Sequence, residues 1–348
     1  MYNHVDKSYL LKPVFLSDAI MESVAARIAS YCAVRPGHKI AVILHGGEPT
    51  LMRPQQMEAL LTILLGRAGP YIESLGMQSN GTLVDDEWIA LLRRFNIRVG
   101  VSIDGPQLVH DKFRIDHQGR GSYRQAIEGM LKLQGADLLQ AVLCVIQPGE
   151  DGLAVYEHFL AQGIRRMNFL LPDISRDSKP LYYPQGNLMP VARYLIPIFD
   201  RWIQADDPDV HVILFENVIR TLLSGLPNAR CFGSAHNCYI VVDTDGSILV
   251  DDVLKVCDAQ FGQLGVNVTQ TNFDDLDPES LLCQVLNGEI VMAEKCRVCP
   301  HGLACRGGSL AHRFSRARGF DNESAWCDDI TKIMDHIDHA LAQYICQS

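Results

Sequence analysis

The chain has 348 residues, 21% of them charged and 47% hydrophobic, and a formal net charge of -10. That length accommodates one large core and a smaller second unit. The acidic balance excludes a nucleic-acid surface and a general attraction to anionic membranes. With no apolar run long enough to span a bilayer and no signal peptide, a cytoplasmic, reducing compartment is the expectation.

Residues 17–34, SDAIMESVAARIASYCAV, place apolar side chains at helical spacing behind a Ser17 cap. KIAVILH follows as a short strand expected to be buried on both faces, and RPQQMEALLTILLGRAG as a helix. YIESLGMQSNG ends a second strand near Asn80-Gly81; VDDEWIALLRRFN is a helix, IRVGVSIDG a strand, SYRQAIEGMLKLQG a helix, LQAVLCVI a strand, GLAVYEHFLAQG a helix and IRRMNFLLP a strand. A long helix runs from about Leu188 to Gln204. Five strands alternating with helices through short connections predict an α/β fold with a parallel sheet and helices outside. Such arrays bind ligands at the carboxyl ends of their strands. HGGEPT, QSNGT, SIDGP and LPDIS all fall there, so four polar loops converge on one rim.

Past about residue 225 the texture changes. CYIVVDTDGSILVDD reads as a β-hairpin turning at Asp245-Gly246. The closing segment DDITKIMDHIDHALAQYI is a helix with Ile333, Ile337, Leu341 and Ile345 on one face; its His336 and His339 read as a solvated face. The division is therefore residues 1–225 and residues 226–348.

Nine of the eleven cysteines lie between Cys231 and Cys346; the other two, Cys32 and Cys144, read as buried core thiols. In a non-secreted chain such crowding favours metal or cluster ligation over disulfides. Cys296 and Cys299 form a Cys-x-x-Cys turn, Cys305 follows, and Cys327 completes a four-sulfur set suited to zinc or an iron–sulfur cluster. Cys231, Cys238 and Cys257 form a second group, which lacks a fourth ligand. Cys283 lies in a helical stretch, so that ligand is Cys283, a non-cysteine residue, or none.

GGEPT after a strand, SNGT, SIDGP with VHDKFR, and a GSY helix start resemble the radical S-adenosylmethionine (SAM) enzymes, in motif order over nearly the whole chain. The cysteine tail resembles their SPASM extension, which carries auxiliary [4Fe–4S] clusters. Within that group DGSILVDDVLKVCD, CPHGLACRGGSLAHRF and GFDNESAWCDD are similar to the peptide maturases of the FxsB, GrrM and XyeB type. The resemblance implies a partial (β/α)6 barrel followed by a SPASM-type domain, with SAM and one or two auxiliary clusters as cofactors. It implies that Gly46, Gly47 and Glu48 hold the SAM amino group, with Pro49 fixing the loop. Ser79 and Asn80 would lie near the methionine part, and Ser102 and Asp104 near the ribose. Cys296, Cys299, Cys305 and Cys327 would hold one auxiliary cluster, and Cys231, Cys238 and Cys257 three positions of the other. Asp258 takes the place of an aspartate that acts on the substrate in sulfatase-maturing relatives. The implied activity is hydrogen abstraction from a side chain of a ribosomally made precursor peptide, then carbon–carbon cross-linking into a cyclophane. An external one-electron reductant would be a partner.

Two departures matter. Relatives in sulfatase maturation carry a cysteine after the paired glycines, where this chain has Ser309. The C-x-x-x-C-x-x-C of the SAM-binding cluster belongs upstream of GGEPT, where this chain has only Cys32. The first barrel strand and cluster loop are thus expected to be missing, either by truncation or in a degenerate protein. Three functions remain open: the cross-linking maturase, a formylglycine-generating sulfatase maturase, and a non-catalytic, metal-stapled peptide-binding protein.

Overall fold

The computed structural model describes residues 8–183, 189–224, 232, 239–251 and 253–347. The first half alternates strand and helix as the apolar pattern requires: α1 (Asp18–Ala33), β1 (Ile40–Leu44), α2 (Pro54–Ala68), β2 (Ile72–Ser79), α3 (Asp86–Arg94), β3 (Arg98–Ser102), α4 (Gln107–Phe113), α5 (Tyr123–Gly135), β4 (Leu139–Val145), α6 (Gly152–Ala161) and β5 (Arg166–Leu170). The turn α7 (Lys179–Tyr182), the long α8 (Pro190–Ala205), β6 (His211–Val212) and α9 (Ile213–Ser224) follow. The boundaries have local causes: Ser17, Asp85 and Asp151 each accept a hydrogen bond from a first-turn backbone N–H and so cap α1, α3 and α6.

Strands β1 to β6 lie side by side in sequence order, and every neighbouring pair is parallel. This is the expected α/β architecture, with one strand more than the five read from the sequence. The sixth is only two residues long, too short to show a period. The expectation that β1 is buried on both faces is corrected. It occupies the sheet edge beside β2 alone, its residues alternate between half-buried and exposed, and Ile43 is 51% exposed.

The second half is built from short pieces. β7 (Val241–Val242) and β8 (Ile248–Leu249) form the antiparallel hairpin around Asp245-Gly246, with Gly246 at φ +81°, where glycine is favoured. Then come α10 (Leu281–Leu286), α11 (Glu294–Arg297), α12 (Gly302–Cys305), α13 (Leu310–Arg313) and the 21-residue α14 (Cys327–Gln347). Among the described residues no helix is long and apolar enough to cross a membrane.

Two apolar cores result. The larger lies between the sheet and its helices and takes in Trp326 and, from α14, Ile330, Ile333, Met334 and Ile337. A smaller one gathers Ile248, Val250, Leu254, Phe261, Leu282 and Phe314. The last helix thus packs on the first half of the chain. The division read at residues 225 and 226 lies outside the described residues. Trp326 is fully buried, donates its indole N–H to the Pro172 carbonyl at 3.1 Å, and carries the Lys179 ammonium over its ring. The start of α8 has no capping side chain of its own; Asp329 of α14 accepts from the N–H groups of Val191 (2.7 Å) and Ala192 (2.9 Å) instead. The reading of a solvated face holds for His339, which is exposed and meets Gln343 at 2.9 Å, and is corrected for His336, which is half-buried against α8, edge-on to Phe199 and 2.6 Å from Asp200.

Candidate functional site

The carboxyl ends of β1 to β4 are tied together by polar side chains taken in order. In the loop after β1, Gly46 adopts φ +127°, a conformation that side chains disfavour. Open space surrounds both Gly46 and Gly47 where a Cβ would stand. Glu48 then caps the short turn that begins at Pro49. One of its carboxylate oxygens accepts from Thr50 N (3.0 Å), Thr50 Oγ1 (2.6 Å) and Ser79 Oγ (2.8 Å); the other accepts from Asn80 N (2.7 Å). A carboxylate offers about four acceptor positions. Glu48 therefore spends its capacity joining the loops after β1 and β2.

Asn80 shapes its own turn, its Oδ1 accepting from Thr82 N (2.9 Å) and Thr82 Oγ1 (2.7 Å). Gln78 Nε2 donates to Ser102 Oγ at 2.8 Å and so links β2 to β3. Asp104, 2% exposed, links β3 to β4. It accepts from Arg114 Nε (2.6 Å), Arg114 Nη2 (2.9 Å) and Val145 N (3.0 Å). Beneath it, His110 Nδ1 accepts from Asp104 N at 3.3 Å. Its Nε2 lies 3.1 Å from Ser122 Oγ, whose hydroxyl donates to the Arg114 carbonyl. These partners assign the neutral tautomer with the proton on Nε2. Burial agrees, lowering the His110 pKa to about 4. Gln78, Thr50, His110, Arg114 and Ser122 were not found from the sequence. Their partners are remote in the chain or read as ordinary polar residues, and the VHDKFR motif that contains His110 and Arg114 was the one available signal.

The loop after β5 meets the tail. Asp258 caps a short turn through Gln260 N (3.2 Å) and lies 3.5 Å from Arg316 Nε. The Arg316 backbone N–H donates to Asp177 of the β5 loop at 2.8 Å, which places Asp258 beside that loop. Its neighbour Cys257 donates to the Ala311 carbonyl at 3.4 Å. Burial pushes the Cys257 thiol up to about 12, with Asp173, Asp251, Asp177 and Asp258 adding to the rise. Cys231 and Cys238 lie outside the described residues. Cys283 stands half-buried in α10.

Cys296, Cys299 and Cys305 come from the turns α11 and α12 and their junction, and Cys327 opens α14. Burial raises the Cys296 and Cys327 pKa values; Cys327 adds to the rise at Cys296, and Cys299 adds to both. Three of the four sulfurs thus share one neighbourhood. A side chain at Gly302 would collide with the Cys296 carbonyl, and Gly307, at φ +82°, faces the Cys296 sulfur, so both glycines let the chain wrap closely around it. In kind and neighbourhood these donors fit a soft metal centre. Among the described residues no three metal-binding side chains converge to ligating distance. Upstream of Gly46 the residues do not fit a cluster: Cys32 is the single thiol there and lies in the core of α1, 2% exposed. Cys144 is buried as well, as read.

Residues 17–159, the segment from α1 to α6 that builds this rim, match the model of the radical SAM superfamily. Over a longer stretch the chain is similar to a cysteine-type anaerobic sulfatase-maturating enzyme of Clostridium novyi (strain NT), 22% identical, covering 81% of this chain and 76% of that one. It is also similar to a serine-type anaerobic sulfatase-maturating enzyme of Bacteroides thetaiotaomicron, 26% identical, covering 86% and 75%. A solved structure described as native anSMEcpe with bound AdoMet and Kp18Cys peptide shares the fold, with a TM-score of 0.81, 21% identity, and coverage of 96% of this chain and 91% of that one.

Proposed function

We propose that the chain binds SAM on the open backbone of Gly46 and Gly47 and presents a peptide side chain to it, with iron–sulfur centres held by the tail. The carrying observation is the stitched rim. Glu48, Ser79, Ser102 and Asp104 hold four strand tips in register and leave the Gly46–Gly47 backbone unobstructed. Because the Glu48 carboxylate is already engaged, loop carbonyls would meet the SAM ammonium, and Glu48 would act by fixing their direction. Ser79 and Asn80, on the same unit, would border the methionine part; Ser102 and Asp104, two tips along, would border the ribose. When bound and supplied with an electron by an external reductant, SAM provides a hydrogen-abstracting radical; the protein supplies position and exclusion of water. Cys32, buried in the core, does not fit a SAM-bound cluster.

The substrate is a ribosomally made peptide, lying between the rim and the β5 loop, with Asp258 as the base beside it. The similarity to sulfatase-maturating enzymes and a solved relative described with a bound peptide support a peptide substrate. Cross-linking between side chains is the finer reading, supported by Ser309 in place of a thiol. Formylglycine formation is the second reading, favoured by the names of the relatives. On a seryl substrate both remove a pair of hydrogens, so capture of an aldehyde by a hydroxylamine reagent separates them, and mass does not.

The binding test is equilibrium dialysis of SAM against the wild type and Gly47→Val. The substitution fills open space and meets no neighbour, so the fold is retained. A loss of about tenfold or more in affinity is expected; equal affinity rejects the site.

A further inference from the structure

His312 stands in α13 with 4% of its surface exposed, and neither ring nitrogen makes a hydrogen bond. A buried polar atom without a partner costs roughly 1–3 kcal/mol, and native structures seldom leave one unexplained. The nearest charged group, Asp173 of the β5 loop, is 3.8 Å from Nε2, beyond hydrogen-bond reach. A neutral imidazole in this setting has a lone pair to offer a metal.

A soft donor lies against the same short helix. The residue before His312, Ala311, accepts the Cys257 thiol through its carbonyl, so that sulfur rests against the backbone of α13. Asp173 is a neighbour of both side chains. One turn before His312, on the same side of α13, is Ser309, a poor ligand for a soft metal.

We propose that His312 is the non-thiolate ligand of an iron–sulfur centre that Cys257 also holds, supplying by a ring nitrogen the donor that Ser309 does not. The inference rests on the reading that the tail carries such centres. It explains the bare nitrogens with a single bound group. Imidazole in place of thiolate removes negative charge from a centre and raises its potential, as it does where histidines ligate [2Fe–2S] groups.

The test uses the full chain loaded anaerobically with iron and sulfide, then reduced. Pulsed EPR of the wild type is expected to show an imidazole nitrogen coupling. His312→Cys should keep the iron, lose that coupling and shift the centre to lower potential. His312→Ala and Cys257→Ala should each lose the iron of one centre, with the double variant losing no more. Iron-loaded wild type without the nitrogen coupling overturns the proposal, as does a coupling that persists in His312→Cys. A chain that binds no iron overturns the broader reading along with it, so the two failures are distinct. Should His312→Ala fail to fold, the wild-type and His312→Cys spectra still decide.

Discussion

At the rim of the sheet Glu48 accepts four hydrogen bonds, and Asp104 is gripped by Arg114 and Val145. In the cysteine-rich tail both nitrogens of His312 are bare, and burial and Cys299 both oppose the ionisation of Cys296 and Cys327. The same chain thus treats its buried polar groups in two ways. The rim is complete from protein groups alone and is organised before any ligand arrives. The tail keeps donors whose demands protein groups do not meet, the condition under which a bound metal contributes directly to folding.

Breaking the rim should have the largest effect. Asp104→Ala removes the acceptor that the largely buried Arg114 guanidinium shares with the Val145 N–H, and a loss of about 3–5 kcal/mol in urea unfolding is expected. A loss below about 1 kcal/mol would mean that solvent reaches the pair. Loading the tail sharpens the contrast from the other side. Iron and sulfide at a hundredfold excess over their dissociation constant should stabilise it by about 2.7 kcal/mol. Hydrogen exchange would show slowed amides around Cys296–Cys305 and unchanged amides in β2 to β4; uniform slowing would erase the distinction. Next comes Glu48→Gln, which retains the shape but turns an amide NH2 toward donors. A destabilisation of about 1–3 kcal/mol is expected, with weakened SAM binding in dialysis.

The smallest effect is in acid, and it separates the regions by pH. His110 titrates at about 4 in the fold against 6.5 when unfolded. The unfolded chain therefore binds the extra proton first, and the rim loses stability as the pH falls from 6.5 toward 4. Asp243, in the hairpin, would be raised by burial, but hydrogen bonds from Lys12, Lys255 and Thr244 N hold it at about 2 against 3.8 unfolded. Its contribution is intact above 3.8 and is lost as the pH falls toward 2. His110→Asn should flatten the first phase of an acid titration followed by circular dichroism and leave the second.

The strands and helices of the first half were legible because each buries a face at a fixed period, and the four rim loops because parallel arrays place them together. The exposure of β1 was not legible, since IAVIL has no polar residue to mark an edge. Nor was the role of the Glu48 carboxylate. The sequence shows it between glycines and a proline, yet Ser79 and Asn80, its partners in β2 and the following loop, lie some 31 residues away. In the tail the cysteines advertise themselves, whereas His312 shows nothing until its lack of partners is seen in three dimensions.

The cap that Asp329 lends to α8 bears on the order in which the molecule is made. Val191 and its acceptor are 138 residues apart, so α8 leaves the ribosome with two first-turn amides unsatisfied and keeps them so until α14 begins. During that interval α8 competes for water rather than for protein, and its anchoring against the sheet is a late event. A chain stopped before Asp329 would carry a complete rim beside a frayed helix, which protease cleavage near Val191 would reveal.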